Sequence, residues 1–275
     1  MNIETLPACF STESRYTATT SEQFAPISTA RAIKPLLDAG WNITDYSVKK
    51  IRNANLDRAP YTKHLLRISH PDLQPIDGHR CEVIAQNGND SSSSFRFLAG
   101  IWRAACANGL VVGMSISSIR INHIGDPSAM NKKLSNAVRG ISDEFPRLHS
   151  QIQQWQQMSV PVEQVTMFGR MAHSLRKDTK VNDVNLIIGG AVGGRSKRIE
   201  DTQNTLWNVF NRTQENVVRG MGSRVTRRIS GMDKALKINR QMWDICELAG
   251  QGKLPMAYEL AHEMPTSEAI KIALN

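Results

Sequence analysis

The sequence predicts an α+β fold, in which a small antiparallel sheet with packed helices is followed by a mostly helical C-terminal half. Two observations lead to this prediction. Between residues 41 and 125, apolar side chains recur mainly at every second position, as in strands. Beyond residue 126 they recur at every third or fourth position, as in helices. The 275 residues, of which 40% are hydrophobic, suffice for one large domain or two smaller ones.

The first predicted helix follows a Ser- and Thr-rich arm, residues 1–24, which we expect to be loosely ordered. The stretch "ISTARAIKPLLDAGW" predicts the helix, because its apolar residues share one side. Ser28 or Thr29 can cap its start, and Gly40 suits its end.

Four strands and one further helix complete an α+β core domain, which we place at residues 25–125. The strands are predicted in "WNITDYSVKKIR", "YTKHLLRIS", "HRCEVIAQ" and "SISSIRINHIG". Before the last of them, "SFRFLAGIWRAACANGL" predicts a helix, because Phe97, Ile101 and Ala104 follow a helical spacing. Asn108-Gly109 would end that helix in a left-handed turn.

A helical region is expected at residues 126–275. Its first helix carries apolar residues in steps of three and four, which is typical of helices packed side by side. This seam consists of Leu134, Val138, Ile141, Phe145, Leu148, Ile152, Trp155 and Met158, and Pro146 should kink the helix. Further helices are predicted in "PVEQVTMFGRMAHSLRK", "EDTQNTLWNVFNRTQENVVRG", "MDKALKINRQMWDICELAG" and "SEAIKIAL".

Positive charge is concentrated in one segment of the chain. The formal net charge is +9. Residues 195–240, the basic segment, hold eleven Lys or Arg and four Asp or Glu and so carry +7, whereas residues 241–275 carry −3. Such a concentration is typical of polyanion-binding proteins, and a solvated helix face is the alternative interpretation. The residues expected to bind nucleic acid are Arg195, Lys197, Arg198, Arg212, Arg219, Arg224, Arg227, Arg228, Lys234, Lys237 and Arg103.

The sequence offers little for catalysis. The glycine-rich stretch "GGAVGGRSKR" lacks the Lys-Ser/Thr ending of a phosphate-binding loop. A metal site would need His64 and His123 to meet through paired strands, because no two histidines have the HxxxH spacing. The carboxylates are too scattered for a two-metal nuclease. We therefore predict no catalytic residue, no cofactor and no metal.

The cysteines and the apolar pattern indicate a cellular compartment. The four cysteines, Cys9, Cys81, Cys106 and Cys246, are far apart and form no CxxC pair. This spacing favours reduced, mostly buried thiols. The sequence has no apolar run of the length that a membrane span needs, and residues 1–18 do not resemble a secretory signal. We expect a protein of the host cytoplasm that does not enter a membrane.

Two stretches resemble signatures of a family found in phages and plasmids, whose function is unknown. They are "FRFLAGIWRAACANGLVVG" and "LWNVFNRTQENVVRG", and the resemblance extends over roughly residues 24–245. The matching residues are Gly100, Arg103, Cys106, Asn108 and Gly109, then Trp207, Asn211, Gln214, Glu215, Asn216, Arg219 and Gly220. The family more often has Ser-His-Asp-Gly where this chain has Gly88-Asn89-Asp90-Ser91. The resemblance implies a genomic context rather than an activity.

Charge and resemblance together give a hypothesis: a single-stranded DNA-binding protein of phage or plasmid origin that promotes strand annealing in homologous recombination. It would form a homo-oligomer, a ring or a filament, and could work with a host or phage recombination protein. The annealing step is an analogy with recombinases that combine a small antiparallel sheet with helices. Two alternatives stay open. One is a protein-binding counter-defence module that occupies a host DNA-processing enzyme, and the other is a metal-dependent nuclease.

Overall fold

A computed structural model describes residues 1–73, 75, 79–103, 113–125, 136, 147–184, 193–194, 201–221, 226–229 and 231–275. Only the backbone is described at residues 53, 54, 79, 99, 101–103, 113–119 and 232. The chain divides into two compact units: Met1–Gly109 with Ser115–Arg147, and Leu110–Met114 with Leu148–Asn275. The first unit is built on a sheet and the second on helices, so the α+β class is confirmed.

Five strands form the sheet, and their order in space is their order in the chain. They are β1 (Asn42–Val48), β2 (His64–Ser69), β3 (His79–Asn87), β4 (Phe95–Arg103) and β5 (Gly113–Ile121). From β1 to β4 each strand pairs antiparallel with the next, with Leu66 opposite Ala85 and Ala85 opposite Phe97. The four stretches predicted as strands are confirmed.

The helix predicted from residue 94 to residue 110 is wrong for residues 95–103, which form β4. Phe97 and Leu98 are adjacent, so they point to opposite faces of the sheet, and both are buried. A strand that is covered on both faces does not alternate between apolar and polar residues. Its apolar residues can then match a helical spacing by chance. Asn108-Gly109 lies outside the described residues.

Helix α1 (Thr29–Asp38) forms as predicted. The Ser28 hydroxyl accepts a hydrogen bond from the Arg31 N–H at 3.3 Å, which caps the first turn. Gly40, with φ of 88°, follows the helix in the left-handed conformation that favours glycine. The arm before α1 forms two short 3-10 turns, Ile3–Thr5 and Ala8–Phe10.

The second unit contains the helical stretch 147–157, here α2, followed by α3 (Val162–Ser174), α4 (Leu206–Arg219), α5 (Met232–Gly250), α6 (Leu254–Glu263) and α7 (Thr266–Leu274). Leu148, Ile152 and Trp155 of the predicted seam are buried on α2. The seam before residue 147, with Pro146, lies outside the described part of the chain. Helix α6 was not predicted from the sequence.

Helix α4 packs against both α3 and α5. Its aromatic residues Trp207 and Phe210 are buried, and the ring of Phe210 meets that of Trp243 edge-on at 6.2 Å. Polar positions of α4 are buried too: Asn211, Arg212, Thr213, Gln214, Glu215 and Asn216. Helix α4 is therefore buried on its polar face as well as on its apolar face.

Candidate nucleic-acid interface

A buried polar cluster lies in the first unit, where the β3–β4 loop meets the arm and α1. Its members are each at most 5% exposed: Thr29, His64, Asn87, Asn89, Asp90 and His123. Buried polar groups are costly unless they are hydrogen-bonded, so the partners of this cluster decide what it does.

Asn89 and Asp90 bind the β3–β4 loop to several segments of the first unit. The Asn89 side chain accepts from the Ile27 N–H at 3.1 Å and donates to the carbonyl of Thr12 at 3.3 Å. The carboxylate of Asp90, which is completely buried, accepts from Arg58 Nε at 2.7 Å and from the Ser92 N–H at 3.1 Å. These bonds are internal to the protein, so they hold segments together rather than present groups to a ligand.

His64 is buried in its neutral form. Its Nδ1 lies 2.8 Å from the carbonyl of Thr62, which only a ring N–H can satisfy, and its Nε2 therefore accepts from the Thr29 hydroxyl at 2.7 Å. Burial lowers the pKa of His64 to about 4, against smaller opposing effects of the Thr62 carbonyl and Asp90. Burial also lowers the pKa of His123.

Because burial lowers the pKa values of these histidines, we expect the protein to lose stability in mild acid. Because the pKa of His64 is lower in the folded state, its neutral form contributes stability above pH 6.5, and this contribution is lost as the pH falls from about 6.5 toward 4. We expect the free energy of unfolding to fall by up to about 1.4 kcal/mol per pH unit for one such histidine. Urea unfolding at a series of pH values measures this slope. His64→Gln should flatten it, whereas the control His149→Gln, at an exposed position, should not.

The structure gives no support to a metal site in this cluster. Across the described ranges, no three or more His, Cys, Asp or Glu side chains are grouped to hold a metal ion. The thiols of Cys9, Cys81 and Cys246 are buried and free, and Cys106 lies outside the described residues.

The predicted DNA-binding residues have different environments. Four of them, Arg195, Lys197, Arg198 and Arg224, lie outside the described residues, as does the side chain of Arg103. Arg219 donates to Glu215 at 2.7 Å. Arg227, Arg228, Lys234 and Lys237 are exposed.

Arg212 lies inside the second unit and is only 2% exposed. Its guanidinium donates to the carbonyls of Gly193 at 2.7 Å, Asp201 at 3.0 Å and Gln203 at 2.8 Å. It also donates to the Asn204 side-chain oxygen at 2.5 Å. Because its N–H groups donate to these internal acceptors, Arg212 is not part of the exposed basic surface.

Five exposed cations of the second unit belong to three segments that converge. We call them the basic surface: Lys177, Arg227, Arg228, Lys234 and Lys237. Arg176, in the turn after α3, donates a hydrogen bond to the Arg227 carbonyl at 2.5 Å. Lys237 Nζ, on α5, lies 3.6 Å from a carboxylate oxygen of Asp178 in the same turn. These contacts bring the turn, residues 226–229 and the start of α5 together.

The electrostatics of this surface are positive. The pKa of His173, at the end of α3, falls to about 4, first through burial and then through the charges of Arg176 and Lys177. These segments also carry two acids, Asp178 and Asp233, and Asp178 accepts hydrogen bonds from the N–H and hydroxyl of Ser267 at 3.3 and 2.9 Å. Its charge is thus partly directed to the N-terminus of α7. The surface can therefore attract phosphate groups.

Sequence reasoning missed Arg176 and Lys177. They lie some fifty residues before Arg227 and outside the basic segment, so a charge count along the chain separates what the fold brings together. The available signal was the run "LRKDTK" at residues 175–180, which has three basic residues and one acid.

Comparisons with known proteins identify relatives of the chain. Residues 17–243 match the family model described as "Domain of unknown function (DUF932)". The UPF0380 protein YfjQ of Escherichia coli K12 is 29% identical over 238 residues, and YafZ of the same organism is 28% identical over 236. Each match covers 82% of both chains. No solved structure matches significantly. Among the described residues, no helix is long and apolar enough to cross a membrane.

Proposed function

Because the chain belongs to the DUF932 family, whose function is unknown, we propose a function from its own residues: the second unit binds single-stranded DNA through the phosphate backbone. The observation that carries this proposal is the convergence of Lys177, residues 226–229 and the start of α5. Lysine and arginine side chains that reach solvent on one surface neutralise phosphates and release the ions that surround them.

The aromatic residues of the second unit support binding by charge rather than by base stacking. Trp155, Trp207, Phe210 and Trp243 are buried, with the rings of Trp155 and Trp243 4.2 Å apart. Rings packed into a core cannot stack on bases. We therefore expect binding that depends little on base sequence and strongly on salt.

Fluorescence anisotropy of a labelled single-stranded oligonucleotide over a series of salt concentrations tests the proposal. Five phosphate contacts should give a slope of about −3.5 in log affinity against log salt, at about 0.7 per contact for single strands. The triple variant Lys177→Gln, Arg227→Gln, Arg228→Gln should reduce this slope by about 2. Duplex DNA and RNA of equal length test the choice of nucleic acid.

A matched control separates the surface from total charge. The triple variant Arg31→Gln, Lys34→Gln, Lys50→Gln removes the same three charges at exposed positions of the first unit and should keep the slope of the unmodified protein. Equal losses in both triple variants would show that net charge, not this surface, is responsible. Absence of salt-dependent binding in the unmodified protein would refute the proposal.

We further propose that the bound protein anneals complementary strands as a homo-oligomer. Annealing of two labelled complementary oligonucleotides, followed by energy transfer, should be faster with the protein than without it. Light scattering should show a ring or filament that forms or grows on single-stranded DNA. Degradation of the oligonucleotide in magnesium or manganese would instead identify a nuclease.

A further inference from the structure

Arg176 connects the end of α4 to residues 226–229, one of the three segments of the basic surface. Its guanidinium donates to the carbonyl of Val217, in the last turn of α4, and to the carbonyl of Arg227 at 2.5 Å. The planar fork of arginine can satisfy two acceptors in fixed directions, which the single ammonium of lysine cannot reproduce. Arg176 therefore contacts the backbone of Arg227, while the side chains of Arg227 and Arg228 reach solvent.

The end of α4 also contacts residues 226–229 directly. The Ile229 N–H donates to the Val218 carbonyl at 2.9 Å. Gly220 has φ of 82°, and a Cβ atom there would lie 2.3 Å from the Thr226 carbonyl oxygen. Only glycine permits so close an approach. The backbone that carries Arg227 and Arg228 is thus fixed at several points.

We infer that Arg176 is the positioning residue of the basic surface: it does not bind DNA but places Arg227 and Arg228 beside Lys177. This inference rests on the proposed function. It follows from geometry, because Arg176 lies in the turn that carries Lys177 and donates to the main chain of Arg227 and of Val217 at the end of α4.

Arg176→Lys tests the inference because it keeps the positive charge and removes the fork. The affinity for a single-stranded oligonucleotide should fall by the same factor as in Arg227→Gln, Arg228→Gln. The salt slope should fall by about 1.4, which corresponds to two contacts at about 0.7 each. Adding Arg176→Lys to that double variant should cause no further loss, because the residues it positions are already gone.

Arg170→Lys is the matched control. Arg170 lies on α3 and also donates to two acceptors, the Tyr258 hydroxyl at 2.5 Å and the Val181 carbonyl at 3.2 Å, both outside the basic surface. It should keep the affinity and salt slope of the unmodified protein. A loss of binding in Arg170→Lys equal to that in Arg176→Lys would overturn the inference, since it would reflect general loosening of α3.

Two further measurements keep the inference testable if Arg176→Lys loses stability. Hydrogen exchange should become faster at the Ile229 amide and stay unchanged within α3. Gly220→Ala, which displaces the same segment while Arg176 is intact, should lower affinity in the same way. Unchanged binding in Arg176→Lys, or losses that add in the combined variant, overturn the inference. No binding by the unmodified protein refutes the proposed function instead.

Discussion

Arg212→Met should lower the free energy of unfolding of the second unit by about 3–5 kcal/mol. The substitution keeps an unbranched side chain but removes the guanidinium, which donates hydrogen bonds to the carbonyls of Gly193, Asp201 and Gln203. A buried acceptor that loses its partner costs about 1–3 kcal/mol, and the carbonyls of Gly193 and Asp201 are both buried. Urea unfolding followed by tryptophan fluorescence measures the change, since Trp207 is buried five residues before Arg212 on the same helix.

Arg228→Met is the control for this experiment. Arg228 is exposed, so its replacement should change the free energy of unfolding by less than about 0.5 kcal/mol. The two variants should reverse their order in DNA binding: Arg228→Met weakens binding, whereas folded Arg212→Met keeps its salt slope. An Arg212→Met variant that is fully stable but binds DNA weakly would contradict this prediction and would indicate that Arg212 takes part in DNA binding.

Asp90→Ala should lower the free energy of unfolding of the first unit by about 3 kcal/mol. The buried carboxylate accepts from Arg58 and from the N–H and hydroxyl of Ser92, and alanine leaves these donors without their acceptor. The expected value is at the low end for a buried ion pair, because the Arg58 side chain is 30% exposed and can reach water.

The neighbouring acid gives a matched control for Asp90. Asp57 is exposed and accepts a hydrogen bond from the Tyr16 hydroxyl at 2.6 Å, so Asp57→Ala should cost no more than about 1 kcal/mol. Thermal and urea unfolding of both variants measure the difference. Equal losses would mean that the polar cluster is no more important to the fold than its surroundings.

The elements that could be predicted from the sequence are those whose pattern is local. Strands β1, β2, β3 and β5 are short runs of strand-forming residues bounded by turn residues, and α1 has a cap and a glycine stop within its own sequence. Strand β4 escaped prediction because its apolar residues Phe97 and Ile101 also match the spacing of a helix. Whether a polar side chain of α4 is buried depends on acceptors elsewhere in the sequence, such as the Gly193 carbonyl for Arg212. Residue type alone therefore assigned Arg212 to the surface, although it is buried.

The candidate site was predictable only in part, for a related reason. Arg227, Arg228, Lys234 and Lys237 could be selected because they lie close together in the sequence. Lys177 joins them through a turn from a different helix, and no periodicity links it to them. The charge pattern along the sequence therefore located residues 226–229 and the start of α5. Lys177 reaches the basic surface only because α3 packs against α4 and α5.

The arm before α1 has a consequence for synthesis on the ribosome. Tyr16 donates its N–H to the Asn89 carbonyl, the Thr19 hydroxyl donates to the Asp90 carbonyl, and the Ala25 N–H donates to the carbonyl of His123. These partners are translated some 70 to 100 residues after the arm itself. These hydrogen bonds can therefore form only after most of the first unit has been synthesised, and contacts of such long sequence separation form slowly. During that interval these groups of the arm remain accessible to chaperones and proteases.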